Sequence, residues 1–271
     1  MTIFTKILLA TDGSEYIVGA EREAINFAKI CNSEICIMSV VLSNSEYDKL
    51  APKLVKQAEQ DAINCMDLVQ NNANSAGIKS YTILRHSEYI YPEIVTTAKE
   101  HNIDLIVVGR RGKKGLFKLL LGSRTAEVIN HVHCSVLVIP RTAEIKGKHI
   151  LLAVDNSNHD EVAKITAKLA KYFNAPVTVI TVVHTEFSKD NSEIGVARIC
   201  GVLQTEGIEK LIGQVVVGKY AETIVKIAKN LSCDLIVVGN HGHTSFKNFW
   251  LGSVSEKVIK LAESAVLVVR N

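Results

Sequence analysis

The sequence of 271 residues predicts an α/β fold with two tandem domains, each a doubly wound, five-stranded parallel sheet. Two observations carry this prediction. Short apolar runs of strand length alternate with segments of helical periodicity, and nearly the whole pattern occurs twice along the chain. Strands that are apolar on both faces and alternate with helices are typical of a parallel sheet covered by helices on both sides.

The duplication is visible in the letters themselves. The run DLIVVG at 104–109 recurs unchanged at 234–239, an offset of 130, and LLATDGS at 8–14 returns as LLAVDNS at 151–157, an offset of 143. The second copy is therefore the same unit with about 13 residues fewer in its middle, because 143 − 130 = 13. We predict one domain at 1–141 and another at 147–271, joined by a short polar stretch that suits a linker.

Each copy predicts five strands separated by helices. In the first copy the strands are expected at 6–11, 34–41, 80–84, 105–108 and 136–139. The helices are expected from about Ile17 to Ala28, from Glu46 to Asn72, after Tyr91 with Pro92 in the first turn, and from Ser123. In the long second helix, Tyr47, Leu50, Leu54 and Val55 are expected to pack in the core, with a surface for a partner as the alternative. In the second copy the strands are expected near 150–154, 177–183, 214–217, 235–238 and 265–269.

The composition excludes several classes of protein. A hydrophobic fraction of 47% and a charged fraction of 22% are ordinary for a globular protein, and a net charge of +3 is too small to indicate nucleic-acid binding. No apolar stretch approaches the roughly 20 residues that a membrane helix needs, and the first residues do not resemble a signal peptide. The six cysteines form no CxxC pair, which indicates reduced thiols in a cytoplasmic protein.

A glycine-rich loop follows the fourth strand of each copy with the spacing G-x2-G-x9-G-S. The matched residues are Gly109, Gly112, Gly122 and Ser123 in the first copy, and Gly239, Gly242, Gly252 and Ser253 in the second. Glycines let backbone N–H groups approach an anion closely, and a helix that begins after such a loop favours a phosphate at its N-terminus. Ser253 and Glu256 also have the spacing of a capping box. The P-loop and G-x-G-x2-G patterns are missing, so the sequence supports neither a P-loop NTPase nor common dinucleotide binding.

The ATDGS run at 10–14, together with VVG-x2-G-x9-GS, resembles the universal stress protein family, and the resemblance covers both copies. It implies a Rossmann-like, adenine nucleotide alpha hydrolase-like fold. In the ATP-binding branch of that family the loop holds ribose and phosphates, while the aspartate after the first strand and a residue at the end of the second strand frame the adenine. The residues implied in this way are Asp12, Val40, Gly109, Gly112, Gly122, Ser123, Arg124 and Thr125 in the first copy, and Asp155, Val182, Gly239, Gly242, Gly252, Ser253, Val254 and Ser255 in the second.

Two differences favour the first copy as a nucleotide site. Asn156 replaces the glycine that follows the aspartate, and His241 and His243 replace Arg111 and Lys113 in the loop. Other interpretations of these residues stay open: the aspartates as turn or N-cap residues, and the loop cations as a solvated surface. The two loop histidines with His184 also suggest zinc, but the sequence fixes no further ligand, so we predict no metal site.

The function that these features predict is a stress-response protein that binds ATP as a switch, with no catalytic residue and at most weak ATPase activity. ADP or AMP in place of ATP, and Mg²⁺ beside the nucleotide, are left open. One alternative is an enzyme that uses the same fold for ATP hydrolysis or for phosphoryl or adenylyl transfer, and another is an interaction protein whose nucleotide sites are vestigial. The resemblance also implies dimerisation through the last strands, which two repeats can satisfy as an intramolecular pseudo-dimer, with or without a further homodimer; we expect no nucleic-acid or membrane partner.

Overall fold

The chain forms two compact α/β units, Met1–Arg141 and Thr142–Asn271. The structure, a computed structural model, describes residues 3–110, 121–155, 157, 159–240 and 251–270. The repeated sequence pattern folds into the same order of strands and helices in each unit.

The first unit contains five strands and five helices within the described residues. The strands are β1 (Lys6–Ala10), β2 (Glu34–Leu42), β3 (Ser80–Ser87), β4 (Leu105–Gly109) and β5 (Ser135–Ile139). The helices are α1 (Val18–Cys31), α2 (Ser45–Leu50), α3 (Pro52–Ser75), α4 (Ile90–Glu100) and α5 (Ser123–His131). All four strand pairings are parallel, in the order β3-β2-β1-β4-β5.

The second unit repeats this plan. Its strands are β6 (Ile150–Ala153), β7 (Val177–Val183), β8 (Leu211–Val217), β9 (Leu235–Gly239) and β10 (Ala265–Val269). Its helices are α6 (Asp160–Phe173), α7 (Lys189–Thr205), α8 (Tyr220–Asn230) and α9 (Ser253–Leu261), with a short 3-10 helix at Glu186–Ser188. The strands pair in parallel in the order β8-β7-β6-β9-β10. The predicted fold class is therefore confirmed in both repeats.

Helices cover each sheet on both sides. In the first unit α1 packs beside α3 and α4 packs beside α5, and in the second unit α6 packs beside α7 and α8 beside α9. Strands β4 and β9 are buried along their whole length, as expected for strands between two helix layers. In the described ranges, no helix has both the length and the apolar character that a bilayer crossing requires.

The long polar helix predicted for Glu46–Asn72 is wrong, because it is two helices. Pro52 begins α3, and Ala51 before it has a non-helical backbone (φ −137°, ψ 51°). A proline lacks the N–H that a continuous helix would use, and it disfavours helical geometry in the residue before it. Leu50 and Leu54, predicted in the core, are 84% and 63% exposed. The helix buries its C-terminal half instead, through Met66, Val69 and Ala73.

The segment that enters the second unit is folded against that unit. The backbone N–H groups of Lys146 and Lys148 donate to Asp234 Oδ2 at 2.7 and 3.0 Å. Gly147 has a left-handed φ of +71°, and a Cβ added there would lie 2.4 Å from the Cβ of Phe173. The polar stretch predicted as a linker is therefore fixed at its C-terminal end, and only a glycine fits the close approach at its centre.

Candidate functional site

The carboxyl ends of two neighbouring strands meet in each unit, at the point where the strand order reverses. The chain runs from β1 outward to β2 and β3, and then returns to place β4 on the other side of β1. Leu9 pairs with Val107, so Asp12 lies just beyond the end of β1 and Gly109 lies at the end of the adjacent β4, at the same edge of the sheet. The second unit places Asp155 and Gly239 in the same way, with Ala153 paired to Val238. In open α/β sheets this crevice is where ligands bind.

The turn after β1 is held by the side chain of Thr11. Its buried hydroxyl donates to Glu21 Oε1 at 2.7 Å and accepts the Gly13 N–H at 3.2 Å. Asp12 Oδ1 accepts the N–H of Ser14 at 3.1 Å, which closes an Asx turn. The hydrogen bonds that fix this turn therefore run largely through Thr11, with the Asp12 carboxylate contributing the Ser14 contact.

Glycine is favoured at position 13 of that turn for two reasons. Its φ of +65° lies in the left-handed region, and an added Cβ would lie 3.3 Å from both the Cβ and the Sγ of Cys65. Cys65, on α3, also has its sulfur 3.6 Å from Thr11 Oγ1. Burial raises the pKa of the Cys65 thiol, and the nearby Glu21 carboxylate adds to that effect. The Cys65 thiol is therefore uncharged at neutral pH, and it packs against the turn at Gly13.

The turn after β6 is held differently, through the carboxylate itself. Asp155 Oδ1 accepts the N–H and the hydroxyl of Ser157 at 2.8 and 2.5 Å, and His159 Nε2 lies 2.6 Å from the same oxygen. Burial by itself would raise the pKa of Asp155, but the hydrogen bonds from His159 and Ser157 outweigh it and hold that pKa well below its ordinary range. Asp155 is therefore an ionised carboxylate paired with a buried imidazole.

Asp155, Ser157 and His159 have the residue types of a hydrolase triad without its geometry. In such a triad one imidazole nitrogen faces the serine and the other faces the aspartate. Here Nε2 faces both, at 3.0 Å from Ser157 Oγ, and Nδ1 is buried without a hydrogen-bond partner among the described residues. The Ser157 hydroxyl donates to the carboxylate, so the imidazole is not placed to take its proton.

The glycine loops are described only at their two ends. Gly122 N–H donates to Arg110 O at 3.0 Å, and Gly252 N–H donates to Asn240 O at 3.1 Å, so each loop closes at a narrow neck. Gly112 and Gly242 lie outside the described residues, as do Arg111, Lys113, His241 and His243. Asn156 and the side chain of Arg124 also lie outside them.

The predicted helix starts are confirmed, but the predicted capping box is wrong. Helices α5 and α9 begin at Ser123 and Ser253 with Gly122 and Gly252 as N-caps, and neither has a side-chain cap. Ser253 is therefore one position too late to cap, and the Glu256 side chain pairs with Lys260 on the same helix. A glycine N-cap places no side chain between the first-turn N–H groups and a ligand at the helix end.

The third helical residue ties each helix start to the preceding strand. Thr125 Oγ1 donates to Gly109 O at 3.1 Å, and Ser255 Oγ donates to Gly239 O at 3.0 Å. These hydroxyls, predicted to contact ribose or phosphate, bond to the main chain here and orient the helix end. Val254, one position earlier, is half-buried in the first turn of α9.

The remaining predicted positions lie at the ends of the second strands. Val40 is in β2 opposite Arg85, and Val182 is in β7 opposite Val216. Val182 is buried and Val40 is half-buried. The His184 ring, just past β7, packs against the Tyr220 ring with 4.2 Å between centroids and a tilt of 59°. Over the described ranges, no cluster of three or more His, Cys, Asp or Glu side chains could hold a metal ion.

Sequence reasoning missed His159, Cys65 and Glu21. His159 stands four residues after Asp155, which is a visible signal, but its contact depends on how the turn folds. Cys65 and Glu21 reach the crevice from α3 and α1, and no spacing in the sequence relates them to Gly13. Arg198 on α7 was also missed, and its guanidinium donates to Ser157 O at 2.9 Å.

Two doubly wound units, each with an acidic turn after its first strand and a glycine-capped helix after its fourth, define a tandem α/β protein with a crevice at the switch point of each sheet. The sequence model described as "Universal stress protein family" matches residues 4–140 and 147–270. The chain belongs to the universal stress protein family, as its sequence predicts.

Similar proteins cover either half or nearly all of the chain. The chain is 34% identical over 146 residues to Universal stress protein MJ0531 of Methanocaldococcus jannaschii, covering 51% of this chain and 84% of that protein. It is 24% identical over 290 aligned positions to Universal stress protein Slr1230 of Synechocystis sp., covering 97% and 99%. A crystal structure of a universal stress protein from Archaeoglobus fulgidus superposes with a TM-score of 0.79 at 23% identity and covers 98% of both chains. That structure supports the tandem fold.

Proposed function

We propose that this protein binds an adenine nucleotide, ATP in the first place, in the crevice of its first repeat and acts as a stress-response switch with little or no turnover. The observation that carries the proposal is the glycine-capped start of α5 beside the Asp12 turn. Gly122 leaves the end of the helix without a side-chain cap, and Thr125 fixes that end to β4. A phosphate is the group that a fixed helix N-terminus favours.

The proposed contacts follow the two sides of the crevice. Asp12 and Val40 would meet the base, while Gly109, Gly122 and Ser123 would meet ribose and phosphate, with Gly112, Arg124 and Thr125 completing the set. The matching residues of the second repeat are Asp155, Val182, Gly239, Gly242, Gly252, Ser253, Val254 and Ser255. These assignments rest on the family resemblance and on the position of the crevice.

Calorimetric titration with ATP tests the proposal. The wild-type chain should bind ATP, and Gly122→Leu should reduce the affinity at least tenfold, or about 1.4 kcal/mol, because the new side chain occupies the helix end. Gly201→Leu is the matched control, since a Cβ there meets nothing within 4 Å. Equal ATP affinity in wild type and Gly122→Leu would contradict the proposed site. Repeating the titration with ADP, with AMP and with EDTA in place of Mg²⁺ decides the preferred nucleotide and the need for a metal.

Turnover separates a switch from an enzyme. We expect ATP hydrolysis far below roughly 1 s⁻¹, the low end of ordinary enzyme turnover, and a faster rate would refute the switch. The enzyme alternative gains no support from Ser157 and His159, because the serine hydroxyl already donates to Asp155.

Assembly and location remain proposals. We propose that the two repeats form an intramolecular pseudo-dimer, and sedimentation equilibrium of the whole chain decides whether a homodimer forms as well. We also propose that the two domains span 1–141 and 147–271 and that the protein is cytoplasmic.

A further inference from the structure

The two repeats differ at the residue that follows the first strand, although their backbones agree there. Thr11 N–H donates to Met38 O at 2.9 Å, and Val154 N–H donates to Ile180 O at 3.0 Å, so the two strand ends are fixed alike. Asp12 and Asp155 therefore occupy the same place in their units. Any difference between the two crevices at this point comes from the surrounding side chains.

Both turns contain the bond from the serine N–H to the aspartate Oδ1, but the side chains that give each turn further support differ. In the first repeat, Thr11 binds both Glu21 and the Gly13 N–H. At the offset of 143, valine and lysine (Val154 and Lys164) replace Thr11 and Glu21. A valine has no hydroxyl, so the second repeat cannot support its turn in that way. Its further support comes from the Ser157 hydroxyl and the His159 imidazole, which both bond to the Asp155 carboxylate.

His159 occupies the Asp155 carboxylate by a hydrogen bond to its Oδ1. Its ring is 4% exposed, and with the backbone and hydroxyl of Ser157 it places three donors on one oxygen, which has about two lone pairs to offer. Tyr16 stands at the position of His159 in the first repeat, and its ring lies 5.7 Å from the guanidinium carbon of Arg141. The hydroxyl of Ser14, which corresponds to Ser157, has no hydrogen-bond partner in the described part of the chain.

We propose that His159 makes the two repeats unequal, so that the Asp155 carboxylate serves the turn and not a ligand, and ATP binds in the first repeat alone. The inference rests on the proposed nucleotide binding and specifies which site it uses. A ligand that bonds to Oδ1 of Asp155 must displace a buried imidazole from an ionised carboxylate, whereas the turn beside Asp12 has the additional support of Thr11. His159 thus determines which repeat binds ATP, because it occupies the Asp155 carboxylate that a ligand would need as an acceptor.

The test counts ATP molecules bound to the whole chain by calorimetry. Wild type should bind one, Gly122→Leu should remove it, and the matched Gly252→Leu should leave it. His159→Tyr, which installs the residue of the first repeat, should create a second site or tighten a weak one at least tenfold. Adding Val154→Thr and Lys164→Glu rebuilds the support of the first turn and should preserve folding if the single variant unfolds. The reciprocal Tyr16→His should weaken the first site.

The possible results distinguish a failure of this inference from a failure of the proposed ATP binding. Three results would overturn the inference and leave ATP binding intact. Wild type could bind ATP at two equivalent sites, or Gly252→Leu could lose the single site. The third result is one unchanged site in both the folded His159→Tyr chain and the triple variant. No ATP binding by wild type would overturn the proposed function and the inference together. NMR of wild type needs no variant: saturating ATP should shift the Gly13 amide and leave the His159 ring unchanged, and a shifted His159 ring would count against the inference.

Discussion

At the scale of single residues, two effects favour glycine at position 13, the left-handed backbone and the close approach of Cys65, and their energies can be measured separately. Gly13→Ala places a side chain at φ +65° and 3.3 Å from Cys65, whereas Gly77→Ala places one at φ +76° with nothing within 4 Å. The left-handed backbone destabilises both variants by about 1–2 kcal/mol. We expect Gly13→Ala to lose about 1 kcal/mol more, because it is also overpacked. Urea unfolding of the two variants measures the difference, and equal losses would show that Cys65 accommodates the methyl group.

Asp155 makes the stability of the second repeat depend on pH. Its pKa is lowered in the folded chain, so its contribution is present above the unfolded value of about 4 and is lost as pH falls through the lower folded value. Asp155→Asn should destabilise the chain at neutral pH by about 1–3 kcal/mol. The gap from wild type should close progressively below about pH 4.

Urea unfolding of Asp155→Asn between neutral and acidic pH measures this gap. Asp67→Asn is the control, since Asp67 is exposed on α3, and it should change stability little at any pH. A loss in Asp155→Asn that stays constant through the acid range would mean that the carboxylate is not held in its ionised form.

At the scale of elements, the start of α5 depends on one side-chain bond to β4. Thr125→Val keeps the shape of the side chain and removes the donor to Gly109 O, so we expect a loss of about 1 kcal/mol. Thr97→Val is the matched control on α4, because the Thr97 hydroxyl is fully buried and has no partner among the described residues. That replacement should be neutral or stabilising. Thermal unfolding compares the two, and a larger loss in Thr97→Val would contradict the assignment.

The sequence predicts elements well where the physical signal is local. Strands β7 and β10 have the predicted bounds, because continuous apolar runs between turn residues define them. The prediction failed at Pro52, where helical periodicity on both sides obscured a local breaker, and at Ser253, where capping-box spacing fell one residue inside the helix. At the site, the sequence indicates the crevice through repeated motifs. It does not show that His159 closes on Asp155, because that contact depends on the folded turn.

At the scale of the whole molecule, the join between the repeats is held from both sides. Arg141 pairs with Glu15 of the first unit at 2.8 Å, and the backbone of Lys146 and Lys148 is bound by Asp234 of the second unit. A stretch that composition alone marks as a linker is thus part of two folded units. Its resistance to proteolysis should depend on those anchors, because cleavage follows the population of the open form.

Asp234→Ala should release the second anchor and open 146–148 to trypsin. Loss of two hydrogen bonds to a charged group lowers the local opening free energy enough to raise cleavage at least tenfold, or about 1.4 kcal/mol. Asp104→Ala is the matched control, since Asp104 precedes β4 as Asp234 precedes β9 and binds Thr5 and Lys6 instead. Mass spectrometry of timed digests should show faster cleavage after Lys146 and Lys148 in Asp234→Ala alone. Equal acceleration in both variants would mean that the join opens by global unfolding and not by release of its own anchor.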